Sequence, residues 1–304
     1  MTRPRPIIDL AMFVRIARQY GLPIPAELPT PWIGATSQVF PLHDCVLKIP
    51  FANPDAVQCL VIDSRMVHLM RNLGVQTPES LALDESLEIV AVPFALYRRV
   101  PNAEPLSNGG NASTSQKAWW ETGRQLARVH QVLDQHGFPF HLRTFRQTSE
   151  VDPRPWVEAL RANARLSGAD ASWLLALLDD LAPIVSGSDA VMLCHGDVNA
   201  ANILVHEATG GFLAIIDWAG AGWLDPAWDF AGVPLEVVPF LLAGHRSVAP
   251  MPEDRFAEAR IFWCQAQTRL HTALSAADRG SQPANLDRDI RHLRRFAETA
   301  LGVG

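Results

Sequence analysis

The sequence predicts an α+β protein built of two lobes. Its 304 residues are 48% hydrophobic, so the chain can bury a sizeable core and is long enough for two domains. Short β-branched runs between turn residues predict strands, and longer segments with apolar residues at a helical period predict helices. We expect an N-terminal lobe with a mostly antiparallel sheet, residues 1–101, and a mostly helical C-terminal lobe, residues 102–304.

Composition and charge narrow the class of protein. The net charge of -6 and the pI of about 5.9 argue against a nucleic-acid partner held by phosphate contacts. The four cysteines are scattered without a Cys-x-x-Cys pair, so neither a zinc site nor a disulfide framework is expected. The N-terminal apolar run is too short for a signal peptide, and no apolar run is long enough for a membrane span. We therefore expect a cytoplasmic protein without a membrane partner.

The N-terminal lobe is predicted to combine two helices with strand pairs. The helices are expected at residues 8–20 and 56–73, and further strands at residues 87–91 and 94–100. Residues 31–50 predict a β-hairpin with strands at 38–42 and 45–49 and a turn at 34–37. The turn consists of small residues from Gly34 to Ser37, which would let backbone N–H groups approach phosphate oxygens.

Two charged residues in this lobe interrupt apolar patterns. Lys48 stands between Leu47 and Ile49 in a predicted strand, where a lysine is either an edge residue reaching outward or a phosphate ligand. Asp63 shares an apolar face of the second predicted helix, and an acid on such a face needs a partner. These two positions are candidates for a binding site.

The C-terminal lobe is predicted to be helical around one stretch of short strands. Helices are expected at residues 115–133, 153–184, 234–243, 252–277 and 286–301, with His130 as a packing histidine. The apolar runs 191–194, 203–205 and 212–216 predict strands, with a turn at Gly210–Gly211. A loop with Asp197 at its start and Asn202 at its end lies between the first two of these strands, and Asp217 follows the third strand.

These polar residues suit phosphoryl transfer. The reaction needs a carboxylate that holds the attacking hydroxyl, and an amide oxygen with a second carboxylate that hold Mg²⁺ against nucleotide phosphates. Asp197 suits the first role, and Asn202 with Asp217 the second. A single Asp at a strand end is usually a turn residue, but the spacing His-x-Asp-x-x-x-x-Asn from His195 to Asn202 favours chemistry over that interpretation.

Three blocks of sequence carry a resemblance to a known family. HGDVNAANIL, AIIDW and DPAWDFA resemble the aminoglycoside phosphotransferase family of small-molecule kinases, which has a bilobal protein-kinase-like fold. The resemblance implies that Asp197 is the catalytic base and that Asn202 and Asp217 bind Mg²⁺. It also implies that Asp229 and His195 position the loop, and that Lys48 binds phosphates of ATP or GTP.

Further residues follow from the same resemblance. The segment from Tyr97 to Pro101 looks like the family hinge, where Arg98 C=O and Val100 N–H would contact the adenine. Gly34 and Ser37 would belong to the nucleotide loop. The family usually pairs the lysine with a Glu, but residues 56–73 contain no Glu, which leaves Asp63 as the possible partner. Asp217 is followed by Trp218 and not by Phe-Gly, so the chain departs from ordinary protein kinases.

The predicted function is transfer of the γ-phosphoryl group of ATP or GTP to a hydroxyl of a small molecule. The resemblance favours an antibiotic such as an aminoglycoside, and the acidic balance is compatible with a cationic acceptor. A macrolide, a peptide antibiotic, homoserine, an amino alcohol or a sugar stays open as acceptor. A metal-dependent hydrolase is the alternative outside the kinases, although only His195 and His206 lie near the acidic residues in sequence. A catalytically silent nucleotide-binding protein is a third alternative.

Overall fold

The computed structural model describes residue 6 and residues 8–108, 112–132, 138–145, 147–188, 190–278 and 286–303. The chain forms two compact units. The first contains residues 1–118 and 201–221, and the second residues 119–200 and 222–304. The first unit thus draws on two separate parts of the chain, and the predicted lobes 1–101 and 102–304 stay a prediction.

Within the described ranges, the strands form three antiparallel sheets. One has five strands in the order β1-β2-β3-β5-β4, one pairs β8 with β6 and β9, and one pairs β7 with β10. The strands are β1 (Trp32–Ile33), β2 (Ser37–Leu42), β3 (Cys45–Pro50), β4 (Ser80–Asp84), β5 (Phe94–Arg98), β6 (Ala103–Pro105), β7 (Met192–Cys194), β8 (Ile203–His206), β9 (Phe212–Ile215) and β10 (Gly222–Leu224).

Helices make up most of the second unit. The α-helices are α1 (Leu10–Gln19), α2 (Pro54–Asn72), α3 (Ala112–His130), α4 (Gln147–Glu150), α5 (Arg154–Ala162), α6 (Gly168–Ser186), α7 (Val238–Arg246), α8 (Ala257–Asp278) and α9 (Leu286–Phe296). Short 3₁₀ turns occupy Leu106–Asn108, Trp218–Gly220, Pro226–Phe230, Leu235–Val237 and Asp254–Phe256, and a π turn occupies Ala297–Leu301. None of the described helices is long and apolar enough to cross a membrane.

The first unit is organised around its five-stranded sheet. Residues of α1, β2, β3 and β5 share one buried cluster, which includes Phe13, Phe40, Leu47 and Phe94. Helix α2 begins where Asn53 accepts the N–H of Ala56 at 2.9 Å, an N-cap that satisfies one of the free amides of the first turn. This arrangement fixes Lys48 on β3 and Asp63 on α2, whose side chain is buried.

The prediction of a strand at residues 87–91 is wrong. Strand β5 pairs with β3 on one side and with β4 on the other, and β4 ends at Asp84, whose side chain accepts the N–H of Ser86 at 2.9 Å. Leu87 then adopts a positive φ of 61°, which an extended strand excludes. Ile89, Val90 and Val92 nevertheless join the buried cluster. The apolar run therefore signals burial of an irregular segment and not a strand.

The predicted hairpin at residues 31–50 contains an additional strand. The small-residue turn lies between β1 and β2, where Gly34 N–H donates to Ser37 C=O at 2.9 Å. Strands β2 and β3 are joined at residues 43–44 instead, and His43 has a φ of 53° there. The small-residue segment therefore joins the edge strand β1 to β2, and its last residue, Ser37, pairs with Pro50 of β3.

The second unit packs its helices around a separate apolar interior. Fully buried residues of α6 and α8 include Leu174, Leu178 and Phe262. Strand β7 pairs with β10 in the register Gly222↔Cys194 and Leu224↔Met192. This two-stranded ribbon leads on one side to His195 and on the other to Asp225 and Asp229. The ribbon therefore sets the starting point of the loop that carries Asp197.

Candidate functional site

The hairpin of β8 and β9 brings the positions of Asn202 and Asp217 together in the first unit. Ile203 pairs with Ile215, and the N–H of Ile216 donates to the C=O of Asn202 at 2.9 Å. Asp217 follows directly after Ile216, at the same end of the hairpin. The Asn202 residue is 8% exposed. An amide oxygen and a carboxylate are hard ligands of the type that Mg²⁺ prefers, so the donor chemistry at this end fits that ion.

Asp217 has an unusual backbone conformation. Its φ of 64° and ψ of 65° lie in the left-handed region, which costs a non-glycine residue roughly 1–2 kcal/mol. The residue after it is held firmly, because the N–H of Trp218 donates to Asp63 at 2.8 Å and its indole Nε1–H to Thr77 at 3.1 Å. The contacts around Trp218 therefore stabilise the conformation that orients Asp217.

Lys48 bridges two carboxylates. Its Nζ lies 3.0 Å from Asp63 Oδ2 and 2.9 Å from Asp217 Oδ1. Burial alone would lower the pKa of Lys48, but the charges of Asp63 and Asp217 outweigh it, and the pKa lies above its usual 10.5. Lys48 therefore carries a positive charge whenever these carboxylates are ionised.

The two carboxylates differ in access to ligands. The side chain of Asp63 is 4% exposed, whereas that of Asp217 is 43% exposed. Asp63 is consequently a buried partner of Lys48, whereas Asp217 is half-exposed and accessible to solvent.

The remaining residues predicted to bind nucleotide lie at or near strand ends in the first unit. Gly34 and Ser37 flank the turn from β1 to β2, in which the C=O of Thr36 accepts the N–H of Phe51 at 2.8 Å. Arg98 ends β5, with its exposed guanidinium paired to Asp44 at 2.7 Å and Glu79 at 3.1 Å. Val100 follows between β5 and β6. The side chain of Arg98 is thus engaged at the surface, and its C=O belongs to the segment between the sheets.

In the second unit, Asp229 holds the loop that begins at His195. Its buried carboxylate accepts the N–H of His195 at 3.0 Å and that of Gly196 at 2.7 Å. It also accepts the Nε2–H of His130 at 3.0 Å. Burial alone would raise the pKa of Asp229, but the contact with His130 and the loop N–H groups outweigh it and hold the pKa below 3.8. Asp229 is therefore a buried anion that anchors the loop by its backbone.

The loop also contains contacts of its own. The N–H of Asp197 donates to His195 Nδ1 at 3.2 Å, which leaves Nε2 as the protonated nitrogen of a neutral His195 ring. Asn199 Nδ2 donates to both Asp197 Oδ1 and Asp197 C=O at 3.1 Å. A Cβ atom on Gly232 would lie 2.6 Å from Val198 C=O, so only glycine permits this approach. The position of the Asp197 carboxylate is thus set by neighbours on both sides of it.

Sequence reasoning missed several of these supporting residues. The sequence indicates no role for Thr77, Asn199 and His245, and it places Tyr97 only in the hinge segment. His130, predicted as a packing histidine, is 2% exposed and contacts Asp229 with one ring nitrogen and His245 with the other. A buried histidine in a helix that approaches an acidic motif is a signal for such a contact, but it does not identify the partner.

One further group of side chains resembles a metal site. Among the described residues, ligand atoms of His130, Cys194 and Asp229 lie within 4.8 Å of one another, and all three residues are buried. His130 and Asp229 already hydrogen-bond each other, and burial raises the pKa of the Cys194 thiol far above 9.0, which disfavours a thiolate ligand. The group fits a hydrogen-bonded network and not a cation.

Comparisons with known proteins establish the family. The sequence profile of the phosphotransferase enzyme family (APH) matches residues 30–241, most of the chain, and the chain belongs to this family. No curated protein matches the sequence significantly. The predictions of a phosphotransferase and of the family are confirmed.

Solved structures show the same fold at low sequence identity. The GDP and kanamycin complex of APH(2″)-IIIa is 16% identical with a TM-score of 0.62, over 96% of this chain and 100% of that one. Macrolide 2′-phosphotransferase type I is 18% identical with a TM-score of 0.61, over 97% and 99%. Spectinomycin phosphotransferase APH(9)-Ia, with ADP and spectinomycin, is 13% identical with a TM-score of 0.61, over 96% and 95%. These likenesses confirm the predicted protein-kinase-like α+β fold.

Proposed function

We propose that the protein transfers the γ-phosphoryl group of ATP or GTP to a hydroxyl of a small molecule, with an antibiotic as the first candidate acceptor. One observation supports this most: Lys48 is paired at once with a buried carboxylate, Asp63, and a half-exposed one, Asp217. A phosphate-binding lysine needs one permanent partner to orient it and a second contact that ligands can replace.

The nucleotide is assigned to residues of the first unit. Lys48 has three N–H donors, so it can keep Asp63 while its remaining donors bind the α- and β-phosphates. The backbone N–H groups from Gly34 to Ser37 would cover the phosphates, and Arg98 C=O with Val100 N–H would bind the base. The structures related by fold carry GDP in one case and ADP in another. Both ATP and GTP are therefore candidate co-substrates.

The donor chemistry of Asn202 and Asp217 supports a magnesium site. We assign Mg²⁺ to the amide oxygen of Asn202 and the carboxylate of Asp217. When bound there, Mg²⁺ neutralises the charge that develops on the β- and γ-phosphate oxygens. Asp217 would release Lys48 as it takes up the ion, which frees the ammonium group for the phosphates.

Asp197 is assigned to the acceptor hydroxyl. Its carboxylate accepts a hydrogen bond from the hydroxyl and takes the proton as the oxygen forms its bond to the γ-phosphorus. The bond from that phosphorus to the bridging oxygen breaks, and the nucleoside diphosphate leaves with the electron pair. Asp229 and His195 support this step only through the backbone of the loop, and Asn199 through the Asp197 carboxylate.

The acceptor class is the open part of the proposal. The related structures are named for kanamycin, macrolides and spectinomycin, so an aminoglycoside stays the first choice and a macrolide the second. The net charge of -6 is compatible with a cationic acceptor. Homoserine, amino alcohols and sugars belong in the same screen.

A screen of nucleotide consumption tests the proposal. The protein is incubated with Mg²⁺ and either ATP or GTP against a panel of antibiotics and primary metabolites, with mass detection of phosphorylated product. We expect one acceptor to gain a phosphoryl group, and the Asp197→Asn variant to lose most of that activity. Hydrolysis of phosphoesters without nucleotide would instead support the metal-dependent hydrolase, and nucleotide binding without any product would support a silent nucleotide-binding protein.

A further inference from the structure

Tyr97 is a buried hydroxyl that the proposed reaction leaves unused. It lies on β5, is 7% exposed, and donates to Asp63 Oδ2 at 2.8 Å. The same oxygen accepts Lys48 Nζ at 3.0 Å. Burial and then the charge of Asp63 raise the pKa of Tyr97 well above 10.0, so the phenol remains a neutral donor at ordinary pH.

Tyr97 supports a closed ring of contacts. Asp63 accepts Lys48 on one oxygen and the N–H of Trp218 on the other, and Lys48 in turn contacts Asp217, the residue before Trp218. The ring therefore joins β3, α2 and the segment after β9. Because Asp63 accepts both Lys48 and the N–H of Trp218, a rotation of its carboxylate would move Lys48 and the segment that carries Asp217.

The length of the Asp63 side chain makes the hydroxyl important. Asp is one methylene shorter than the Glu expected at this place, so its carboxylate stays close to α2. In the proposed site Asp217 exchanges Lys48 for a cation, and Asp63 then remains as the carboxylate that orients Lys48. The phenol of Tyr97 is fixed by a buried strand and cannot be displaced by a ligand in the same way. It keeps Asp63 Oδ2 in place when the contacts of Lys48 change.

We propose that Tyr97 is a positioning residue that acts through Asp63 to hold Lys48 in place for the nucleotide phosphates. The inference rests on the proposed function, because it takes Lys48 as the phosphate ligand. It adds to that function a residue outside the three sequence blocks that carry the catalytic and metal-binding positions.

A matched pair of variants tests this role. The sequence has two tyrosines, and the other, Tyr20, also donates to a carboxylate in the first unit, Asp84 at 2.9 Å. Tyr97→Phe and Tyr20→Phe each remove one phenol–carboxylate hydrogen bond, so both should lower the melting temperature. Only Tyr97→Phe should weaken binding of Mg²⁺–tripolyphosphate, by roughly tenfold, the lower end of the usual effect of a hydrogen bond to a charged group.

The use of tripolyphosphate as ligand and of Asp63→Asn as a second substitution separates the possible causes of a loss of affinity. Tripolyphosphate has no base, so a loss of its affinity arises at the phosphate side of the site. In an Asp63→Asn background, Tyr97→Phe should cause no further loss of tripolyphosphate affinity, because Tyr97 acts on Lys48 only through the Asp63 carboxylate. Equal affinities of Tyr97→Phe and Tyr20→Phe would overturn the inference, as would full additivity with Asp63→Asn.

Two further measurements keep the outcome decisive. Lys48→Ala should abolish tripolyphosphate binding, and if it does not, the assignment of Lys48 in the proposed function is wrong. If Lys48→Ala has a strong effect and Tyr97→Phe has none, only the inference about Tyr97 is wrong. If Tyr97→Phe does not fold, 3-fluorotyrosine in the unmutated chain gives two ¹⁹F signals, which Tyr20→Phe assigns. The Tyr97 signal should shift on addition of Mg²⁺–tripolyphosphate and the Tyr20 signal should not; a stationary Tyr97 signal contradicts the inference.

Discussion

At the scale of single residues, two buried histidines form a chain of contacts that ends at Asp229. His245 Nδ1 contacts the C=O of Ala249, His245 Nε2 contacts His130 Nδ1, and His130 Nε2 contacts Asp229, each at 3.0 Å. Burial, followed by the charge of His130, lowers the pKa of His245 to about 3, so the His245 ring is neutral at ordinary pH.

This network makes stability depend on pH. His245 has a pKa of about 3 when folded and 6.5 when unfolded, so the unfolded chain binds more protons between these values. The contribution of His245 is complete above pH 6.5 and is lost as the pH falls. The slope from this residue is at most about 1.4 kcal/mol per pH unit. We expect His245→Gln, whose amide can replace both contacts, to flatten the fall in unfolding free energy below pH 6.5.

Urea unfolding between pH 4.5 and 7.5 measures this slope. The exposed His141 offers a control, since His141→Gln should leave the slope of the unmutated protein unchanged. If the free energy of unfolding falls with the same slope in His245→Gln and in the unmutated chain, His245 is already protonated in the folded protein or another group dominates this pH range.

At the scale of elements, α3 and α7 approach each other in the second unit through glycines. A Cβ atom on Gly123 would lie 1.9 Å from Leu241 C=O, and one on Gly244 would lie 1.8 Å from Trp120 C=O. Both obstacles are backbone atoms, so no side-chain rotation relieves them. The contact positions His245 of α7 against His130 of α3, and through them Asp229.

We expect Gly244→Ala and Gly123→Ala to destabilise the protein by about 1–3 kcal/mol each, the usual cost of overpacking. The gain in helix propensity, about 1 kcal/mol, is too small to offset a displaced helix. Gly168→Ala is the control, because Gly168 begins α6 with no atom within 4 Å of its Cβ position. Chemical denaturation of the three variants gives the comparison, and a Gly244→Ala variant as stable as Gly168→Ala would contradict a close α3–α7 contact.

The elements also show how far the sequence alone leads. Helices α1 and α2 and strands β7 to β9 were predicted, because their apolar periods and bounding turn residues are local signals. The wrong strand at residues 87–91 arose because an apolar run indicates burial, whereas the backbone path depends on Asp84 and Leu87.

The candidate site shows the same limit. Lys48 and Asp63 stood out because each interrupts an apolar pattern, and the structure pairs them. Their supporting contacts could not be predicted, since Tyr97 is 34 residues from Asp63 and Trp218 is 155 residues from it. A hydroxyl or an indole in an apolar run is consistent with simple burial, and only the fold reveals which carboxylate it reaches.

At the scale of the whole molecule, the assigned roles divide between the two units. The residues assigned to the nucleotide and to Mg²⁺, namely Lys48, Asn202 and Asp217, belong to the first unit. Asp197 and its supporting residue Asp229 belong to the second. Binding of the nucleotide and reaction of the hydroxyl should therefore be separable by mutation, even though both carboxylates come from one short stretch of sequence.

Asp197→Asn and Asp217→Asn test this division. If Asp197 is the base, Asp197→Asn should leave Mg²⁺–nucleotide affinity nearly unchanged and lower turnover by roughly 10²–10⁴, the usual contribution of general-base catalysis. If Asp217 binds the metal, Asp217→Asn removes a negative charge from the ion and should lower both affinity and turnover. Higher Mg²⁺, or Mn²⁺ in its place, should then restore part of the activity of Asp217→Asn and none of that of Asp197→Asn.

Titration of each variant with nucleotide at two magnesium concentrations, followed by a turnover assay with the acceptor from the screen, separates these effects. Asp287→Asn, at an exposed carboxylate in the first turn of α9, controls for the loss of one negative charge and should match the unmutated protein in both measurements. An equal loss of nucleotide affinity in Asp197→Asn and Asp217→Asn would contradict these separate roles. A residue that acts only on the hydroxyl does not contact the nucleotide, so its substitution should not lower nucleotide affinity. A metal-dependent hydrolase would give a third pattern, in which both variants lose metal and the unmutated chain binds no nucleotide.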